Sequence, residues 1–377
     1  MFSFARHSKS KISNWWWTVD KVSFSLAVFL IFIGAMLVLS ASPSAAHRDR
    51  LADDFAFIKK QGVFIFMGLV LMIGVSMQSL RTIRRLAVFG FFCAFAGVVL
   101  TYVVGDATKG AARWIKFAGF SLQPSEFIKP VFIVVTAWLL DANKRIEDFP
   151  GMTLAVGLFL LTALSVFGQP DLGMTVLISG VWALQMVWAG IPVWLIMTLF
   201  SAGLVLVTGS YFFLAHVRDR IDRFLASENE IGSQIQKSMD AFANGNLLGR
   251  GPGEGYVKMT LPDVHTDFIF ALAGEECGVW LTTIIVAAFA AIVVRSMTLS
   301  MRDNNLFVMY AASGLAASLG GQAIVNMCSA LQLMPAKGMT LPFVSYGGSS
   351  MLASCLAMGM LLAITRKNAA AEDKDNG

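Results

Sequence analysis

The sequence predicts an all-α, polytopic integral membrane protein with about ten transmembrane helices and one large extracytoplasmic loop. The first reason is composition: 56% of the 377 residues are apolar and only 14% are charged, whereas ordinary soluble domains carry about 25% charged residues. Mean hydropathy is correspondingly high, at +0.67. The second reason is that apolar runs long enough to cross a bilayer, which takes about 20 residues in a helix, recur along nearly the whole chain.

The apolar runs divide the chain into topological segments. Ten runs begin near Val22, Gly62, Leu86, Glu126, Gly151, Gly173, Pro192, Thr266, Asn305 and Thr340. They predict, in order, a cytoplasmic segment, seven spans, a large extracytoplasmic loop, three further spans and a cytoplasmic tail, with the boundaries 1–21, 22–214, 215–265, 266–365 and 366–377. An even number of spans places both termini on the same side of the membrane.

The first run is predicted to be a spanning helix and not a signal peptide. Its apolar stretch from Val22 to Leu39 is longer than the roughly 7–15 residues typical of a signal-peptide core. Trp15, Trp16 and Trp17 directly before it are typical of an interfacial anchor. The segment RTIRR, residues 81–85, is expected to be a short loop between the second and third spans. It carries cations and no acid, as cytoplasmic loops tend to do, although the total numbers of Lys and Arg on the two faces are nearly equal and favour neither orientation.

The large loop is predicted to contain amphipathic helices that lie on the membrane surface with their apolar faces down. The pattern consists of apolar residues at helical spacing, namely Val217, Ile221, Phe224 and Leu225, and then Ile235, Met239 and Phe242. A glycine-rich stretch, NGNLLGRGPGEG at 244–255, follows them. It lacks the Gly-Lys-Ser/Thr ending of a phosphate-binding loop and no strand precedes it, so we expect a flexible loop.

Three carboxylates stand near the start of the eighth predicted span: Asp267, Glu275 and Glu276. A carboxylate in hydrocarbon costs a few kcal/mol or more, so such residues usually face an internal cavity and mark a functional site. For Glu275 and Glu276 the alternative is structural pairing with cations on neighbouring helices. Asp267 lies at the mouth of the span, where water and substrate can reach it, and this position favours a functional role.

Two further motifs place charges inside predicted spans. In QPSEFIKP, Glu126 lies in the first turn of a helix and Lys129 follows at i+3 on the same face. The alternative for this motif is a helix cap with a local ion pair. In FGQPDLGM, a turn explains Pro170 and the glycines but explains Asp171 less well. The four cysteines and four histidines form no CxxC or His cluster, so neither a disulfide framework nor a metal site is predicted.

Five motifs together resemble one known family. GAARWI, QPSEFIKP, GQPDLGM, LPDVHTDFIFALAGEE and MPAKGMTLPFVSYGGSS occur in the order and spacing of the SEDS family of bacterial cell-wall proteins (shape, elongation, division and sporulation). The resemblance runs from the first span to the last. WWWTVDK before the first span, and GEE where AEE is the alternative, favour the division branch of the family over the elongation branch. Ala112, Cys277 and Val279 depart from the commoner family pattern.

The resemblance implies a peptidoglycan glycosyltransferase that polymerises lipid II during septal cell-wall synthesis. It would act at the outer, periplasmic face of the cytoplasmic (inner) membrane, at the division septum. The implied partners are a class B penicillin-binding protein and other division proteins, with membrane lipids around the chain and no nucleic acid. A lipid II flippase and a non-catalytic scaffold of the division machinery remain as alternatives, since charged residues inside a polytopic bundle also suit a transporter.

The same resemblance assigns roles to individual residues. Asp267 matches the position of a catalytic base. Lys337 and Arg113 are the foremost candidates to stabilise the leaving diphosphate, and a divalent cation, Mg²⁺ or Mn²⁺, could share that task, although no ligands for it can be assigned. The remaining candidates for substrate binding are Trp114, Lys116, Glu126, Lys129, Asp171 and His265.

Overall fold

The computed structural model describes residues 11–48, 52–104, 106–108, 111–117, 120–169, 171–213, 218, 228–334 and 338–367. Most of them are helical. The helices are α1 (Lys11–Thr18), α2 (Lys21–Arg48), α3 (Ala56–Ser76), α4 (Leu80–Val104), α5 (Pro124–Arg145), α6 (Gly151–Gly168), α7 (Leu172–Trp188), α8 (Val193–Phe213), α9 (Glu228–Gly245), α10 (Ile269–Met301), α11 (Leu306–Ala330) and α12 (Gly348–Ile364).

Length and composition identify the membrane-spanning helices. Within the described ranges, six helices are long and apolar enough to cross a bilayer: α2, α3, α4, α6, α10 and α11. Two more, α7 and α12, are apolar but shorter. Large apolar side chains such as Phe66, Phe89 and Leu164 are exposed on the outside of the bundle, as expected for surfaces that face lipid. The prediction of an all-α polytopic membrane protein is confirmed.

Helix α5 lies at the centre of the bundle, packed against α4, α6, α11 and α12. It begins with Pro124 at its first position, where the missing N–H costs no hydrogen bond. Its buried side chains include Glu126, Lys129 and Asp141. Polar groups in the hydrocarbon region need partners inside the protein, which explains why this helix takes the interior position and the more apolar helices surround it.

The bundle has two ends that differ in their polar contacts. We call the end that carries Asp267 the loop end. At the opposite end, which we call the terminal end, the first and last described segments meet, because the Lys367 amide donates to the Thr18 carbonyl at 3.1 Å. There Asp20 accepts hydrogen bonds from Ser23 Oγ at 2.6 Å and from Arg295 Nε at 2.8 Å. Burial of the Asp20 carboxyl acts to raise its pKa, but these hydrogen bonds outweigh it and lower the pKa below the usual value.

The aromatic anchor before α2 divides between two environments. Trp15 is buried and donates from Nε1 to Ser76 Oγ at 2.9 Å. Trp16 and Trp17 are exposed, and the Lys21 ammonium lies within 4.9 Å of the centroids of both rings. Their exposure agrees with an interfacial position for these two rings.

The predicted starts of several spans differ from the starts of the described helices. Residues 81–85 form the first turns of α4 and not a loop, because Ser79 caps the helix by accepting from the Thr82 amide at 3.4 Å. The tenth predicted span starts at Gly348 and not near Thr340, since residues 338–347 are irregular. The eighth starts at Ile269, because the amides of residues 266–268 all bond to the Asp263 carbonyl in a turn.

A small antiparallel sheet between α4 and α5 was not predicted. Its strands are β1 (Asp106–Thr108), β2 (Ala111–Phe117) and β3 (Phe120–Leu122), in the order β1-β2-β3. In its register Asp106 pairs with Trp114 and Ile115 pairs with Leu122. The sheet lies at the loop end, where it presents the motif that carries Arg113.

The large loop only partly follows its prediction. Helix α9 covers the predicted positions from Ile235 to Phe242, whereas the predicted helix around 217–225 falls outside the described residues. The Phe242 ring packs on Phe270 of α10 with ring centroids 5.7 Å apart, and a side chain at Gly274 would collide with it. This part of the apolar face therefore covers α10 and does not face the membrane.

Candidate active site

Asp267 lies in the turn formed by residues 263–268, immediately before α10. Its side chain is half-buried. The Asp267 amide donates to the Asp263 carbonyl at 3.0 Å, and the Asp267 carbonyl accepts from Asn326 Nδ2 on α11 at 2.9 Å. The peptide of Asp267 is thus held on both sides, by its own turn and by a neighbouring helix.

The irregular segment Gly338–Gly347 packs against this turn. The Tyr346 amide donates to the His265 carbonyl at 2.8 Å, and Ser345 Oγ donates to the Thr266 carbonyl at 2.5 Å. Gly338, at φ +63, adjoins the Asp267 side chain: a Cβ there would lie 3.6 Å from Asp267 Oδ2. Two segments distant in sequence therefore meet at Asp267.

The buried charges of α5 connect to the same segment. Lys129 Nζ lies 2.8 Å from Glu126 Oε2 and donates to Gln322 Oε1 at 2.5 Å. Gln322 Nε2 in turn donates to the Thr340 carbonyl at 2.9 Å. The ion pair that the i, i+3 spacing offered as the structural alternative is present, and it supports the 338–347 segment through Gln322.

Asp171 and Arg113 form a second group. Asp171 caps α7 by accepting from the Met174 amide at 3.2 Å, and its other oxygen lies 3.4 Å from Arg113 Nη1. Arg113 Nε also donates to the Gln169 carbonyl at 2.9 Å. Strand β2 is thereby fixed to the break between α6 and α7, and the Arg113 side chain stays one-quarter exposed.

The remaining predicted site residues occupy different surroundings. The buried His265 ring lies 4.6 Å from Phe57 and 5.3 Å from Tyr346, centroid to centroid, in an aromatic cluster behind the Asp267 turn. Trp114 is partly buried on β2. Lys116 also lies on β2, but its side chain falls outside the described part of the structure, as does the whole of Lys337.

Glu275 and Glu276 have structural partners. The Glu275 carboxylate accepts from the Tyr256 amide at 2.9 Å and from the Val257 amide at 3.0 Å. Glu276 Oε1 accepts from Ser40 Oγ at 2.5 Å and from Lys258 Nζ at 2.9 Å. These contacts favour the structural alternative for both residues, and they connect α10 to α2 and to the segment at 256–258.

The glycine-rich loop is held against α10 and is not the flexible loop expected. Helix α10 is kinked at Gly278, where φ is +71 and ψ is −167. The Val279 amide therefore bonds outside its helix, to the Asn246 carbonyl at 3.1 Å, and the amides of Arg250 and Gly251 bond to the carbonyls of Glu275 and Glu276. A side chain at Gly278 would collide with the Leu247 carbonyl, so this contact requires glycine.

Two site residues were missed by the sequence reasoning, Gln322 and Asn326. They lie four residues apart on α11, so both project from one face of the helix. Both are nearly completely buried. The available signal was a pair of amides at i, i+4 within an otherwise apolar span.

Comparisons with known proteins agree with the motifs. The family model for FtsW, RodA and SpoVE, described as "Cell cycle protein", matches residues 20–370. The chain is 40% identical over 365 residues to the probable peptidoglycan glycosyltransferase FtsW of Caulobacter vibrioides, covering 97% of this chain and 94% of that protein. It is 36% identical over 361 residues to the protein of the same name from Geobacter metallireducens, covering 92% and 95%.

Solved structures show the same fold. One, described as "Structural coordination of polymerization and crosslinking by a peptidoglycan synthase complex", superposes with a TM-score of 0.77 at 25% identity and covers 92% of this chain and 97% of that chain. The Thermus thermophilus rod shape determining protein RodA superposes with a TM-score of 0.69 at 24% identity, covering 93% and 97%.

Proposed function

The chain belongs to the FtsW, RodA and SpoVE family of cell cycle proteins, and from that membership we propose that it is the peptidoglycan glycosyltransferase of septal cell-wall synthesis. The observation that carries this function is the 40% identity, over nearly the whole of both chains, to a probable peptidoglycan glycosyltransferase FtsW. The substrate is proposed to be lipid II, a disaccharide-peptide on an undecaprenyl diphosphate.

The reaction requires one base and a means to stabilise a leaving anion. The 4-hydroxyl of one sugar attacks the anomeric carbon of another, and the new C–O bond forms as the bond to the diphosphate oxygen breaks, with inversion. The hydroxyl proton goes to the base and the electron pair leaves with the lipid diphosphate. Asp267 is suited to be the base because its side chain is half-buried and its peptide is fixed on both sides.

The cations that are candidates for binding the diphosphate differ in their burial and in their contacts within the protein. The Lys129 ammonium is buried and bonded to Glu126 and Gln322. It is therefore better suited to holding the 338–347 segment in place than to binding an anionic substrate. The Arg113 side chain is one-quarter exposed beside Asp171, and a guanidinium can present several donors to a diphosphate at once. We therefore propose Arg113 as the first candidate among the described cations, and Lys337 as a second candidate because of its sequence motif.

We propose that a divalent cation is held chiefly by the substrate. Among the residues that the structure describes, no three His, Cys, Asp or Glu side chains come together as a ligand set. Mg²⁺ is commonly bound through one or two carboxylates together with substrate phosphates, and the proposed diphosphate suits that mode. We propose Mg²⁺ or Mn²⁺ only as an ion bound mainly by the substrate diphosphate, and we assign it no step in the reaction.

The proposed orientation places the loop end in the periplasm. It can be tested with single cysteines in a variant that lacks Cys93, Cys277, Cys328 and Cys355. Gln236→Cys lies on the exposed side of α9, and Glu147→Cys lies in the exposed connection between α5 and α6. An impermeant thiol reagent added to intact cells should label the Gln236 variant only. Labelling of the Glu147 variant from outside would reverse the topology.

Partnership with a class B penicillin-binding protein is proposed from the synthase complex that the fold matches. Contacts between single spans in lipid depend on close packing of small residues. Co-purification of the two proteins from mild detergent is the direct test. Recovery of this chain alone, when both proteins are overproduced, would remove the partner.

Polymerisation in detergent tests the function itself. Purified protein with lipid II and Mg²⁺ or Mn²⁺, alone and with the penicillin-binding protein, should produce a ladder of glycan strands. A flippase or a scaffold has no chemistry to perform in the absence of a bilayer. Binding of lipid II without a ladder under every condition would favour the flippase, and neither binding nor a ladder would favour the scaffold.

A further inference from the structure

We propose that Asn326 is a positioning residue for Asp267, a role that rests on the proposed glycosyltransferase function. One amide group of Asn326 joins the two segments that meet at the candidate site. Its Nδ2 donates to the Asp267 carbonyl at 2.9 Å and to the Met339 carbonyl at 2.7 Å. Asn326 is only 1% exposed, so its amide group is shielded from water.

The neighbouring turn of α11 repeats this arrangement. Gln322 Nε2 donates to the Thr340 carbonyl at 2.9 Å, one residue after the carbonyl that Asn326 holds. Its Oε1 accepts from Lys129 Nζ. Successive turns of α11 therefore hold successive carbonyls of the 338–347 segment, and Asn326 alone of the two amides also reaches the peptide of Asp267.

The physical need for Asn326 follows from the irregular backbone on either side of it. Neither Asp267 nor Met339 lies in a helix, and a buried carbonyl without a donor costs about 1–3 kcal/mol. Removing the amide deprives two carbonyls of the same donor group and lets the two segments separate. A general base must lie within about 2.6–3.2 Å of the proton it takes, and a displacement of roughly 1 Å can cost about 10²-fold in rate.

A merely structural role for Asn326 predicts a different result, and Gln185 on α7 provides the matched control. Gln185 is fully buried, and its Nε2 also donates to two carbonyls, Ile133 at 2.9 Å and Tyr310 at 3.2 Å. These carbonyls lie within α5 and α11 and not in the site. Gln185→Met therefore removes a comparable bridge without touching the Asp267 turn or the 338–347 segment.

The experiment compares Asn326→Leu, which keeps the side-chain shape, with Gln185→Met in lipid II polymerisation. Both variants should melt at a lower temperature than the parent. The Asn326 variant should also lose at least about 10-fold in kcat per folded molecule, with KM within about threefold, since the missing interaction acts in the transition state. The Gln185 variant should keep the parent kcat per folded molecule.

A second variant and a second measurement cover failure of Asn326→Leu to fold. Asn326→Ser removes the amide and leaves room for a water that can satisfy the carbonyls. Its kcat should also fall, and amides of residues 263–268 and 338–346 should exchange hydrogen faster than in the Gln185 variant. A parent-like kcat in a folded Asn326 variant, or an equal loss of kcat in Gln185→Met, would overturn the inference. Absence of polymerisation by the parent protein would instead overturn the proposed function.

Discussion

The turn at 263–268 and the kink at 274–278 differ in how deeply their carboxylates are buried, although one follows the other in the chain. At the kink, the Glu275 oxygens accept from two backbone amides and Glu276 pairs with Lys258 and Ser40. Both side chains are almost completely buried, at 0% and 2% exposed. In the turn, Asp267 is half-buried, and the bonds that hold its backbone come from Asp263 and Asn326.

A carboxylate near a membrane can therefore stabilise the fold or take part in proton transfer. A carboxylate whose oxygens are filled by donors offsets its own desolvation and fixes the chain around it. A carboxylate that is partly exposed and whose peptide is fixed can reach solvent while its position stays defined, and a general base needs a defined position. The kink is therefore expected to govern stability, and the turn to govern turnover.

The largest expected effect on stability comes from Lys258→Met. It leaves the Glu276 carboxylate buried without its cation, and removal of one partner of a buried ion pair costs about 3–5 kcal/mol. The melting temperature should fall strongly, and activity should fall with the folded fraction. Adding Glu276→Gln should recover part of the loss. A single Lys258 variant as stable as the parent would show that the kink is not held by this pair.

Glu275→Gln should have a smaller effect. The amide keeps one acceptor oxygen but places an NH₂ group where Glu275 Oε2 accepts from the Val257 amide, which costs about 1–3 kcal/mol. Thermal unfolding should register the change while kcat per folded molecule is preserved. If kcat falls with no change in melting temperature, Glu275 belongs to the chemistry and the comparison between kink and turn fails.

Sequence reasoning reached the fold class and the local pairs but not the contacts between distant segments. The i, i+3 spacing of Glu126 and Lys129 was enough to expect their ion pair, and the break before Asp171 was visible as Gly-Gln-Pro-Asp. The docking of the glycine-rich loop on α10 was not predictable. It depends on the kink at Gly278, which leaves the Val279 N–H outside the helical hydrogen bonds and lets it donate to the Asn246 carbonyl. No pattern of neighbouring residues in the sequence predicts a backbone hydrogen bond between such distant segments. The helical start at residues 81–85 depends on the cap at Ser79, whereas the cations of this segment indicate only a cytoplasmic loop.

The smallest expected effect is that of Asp20→Asn, at the terminal end. The Asp20 carboxylate is bonded to Arg295 and Ser23, and the pKa of the folded group lies below its unfolded value. The pair therefore stabilises the fold above the unfolded pKa of about 3.9, and this stabilisation is lost as pH falls through the folded pKa. Because the Arg295 side chain is 43% exposed, we expect a loss of about 1 kcal/mol at neutral pH.

The difference in melting temperature between the parent and the Asp20 variant should shrink as pH falls below about 4. The activity of the folded Asp20 variant at neutral pH should equal that of the parent, since the residue lies at the end of the bundle opposite the turn. A stability difference that grows with acid would contradict the assigned pairing.

The most direct test of the account compares Asp267→Asn with Asp263→Asn. Both variants remove one charge from the same turn, and Asp263, at φ +54, occupies a backbone region that Asn adopts readily. Lipid II polymerisation, lipid II binding and melting temperature are measured for each variant. Asp267→Asn should lose turnover by about 10²–10⁴-fold with binding and melting temperature retained, while Asp263→Asn stays near the parent. A folded Asp267→Asn protein that polymerises lipid II at the parent rate would contradict the assignment of Asp267 as the base.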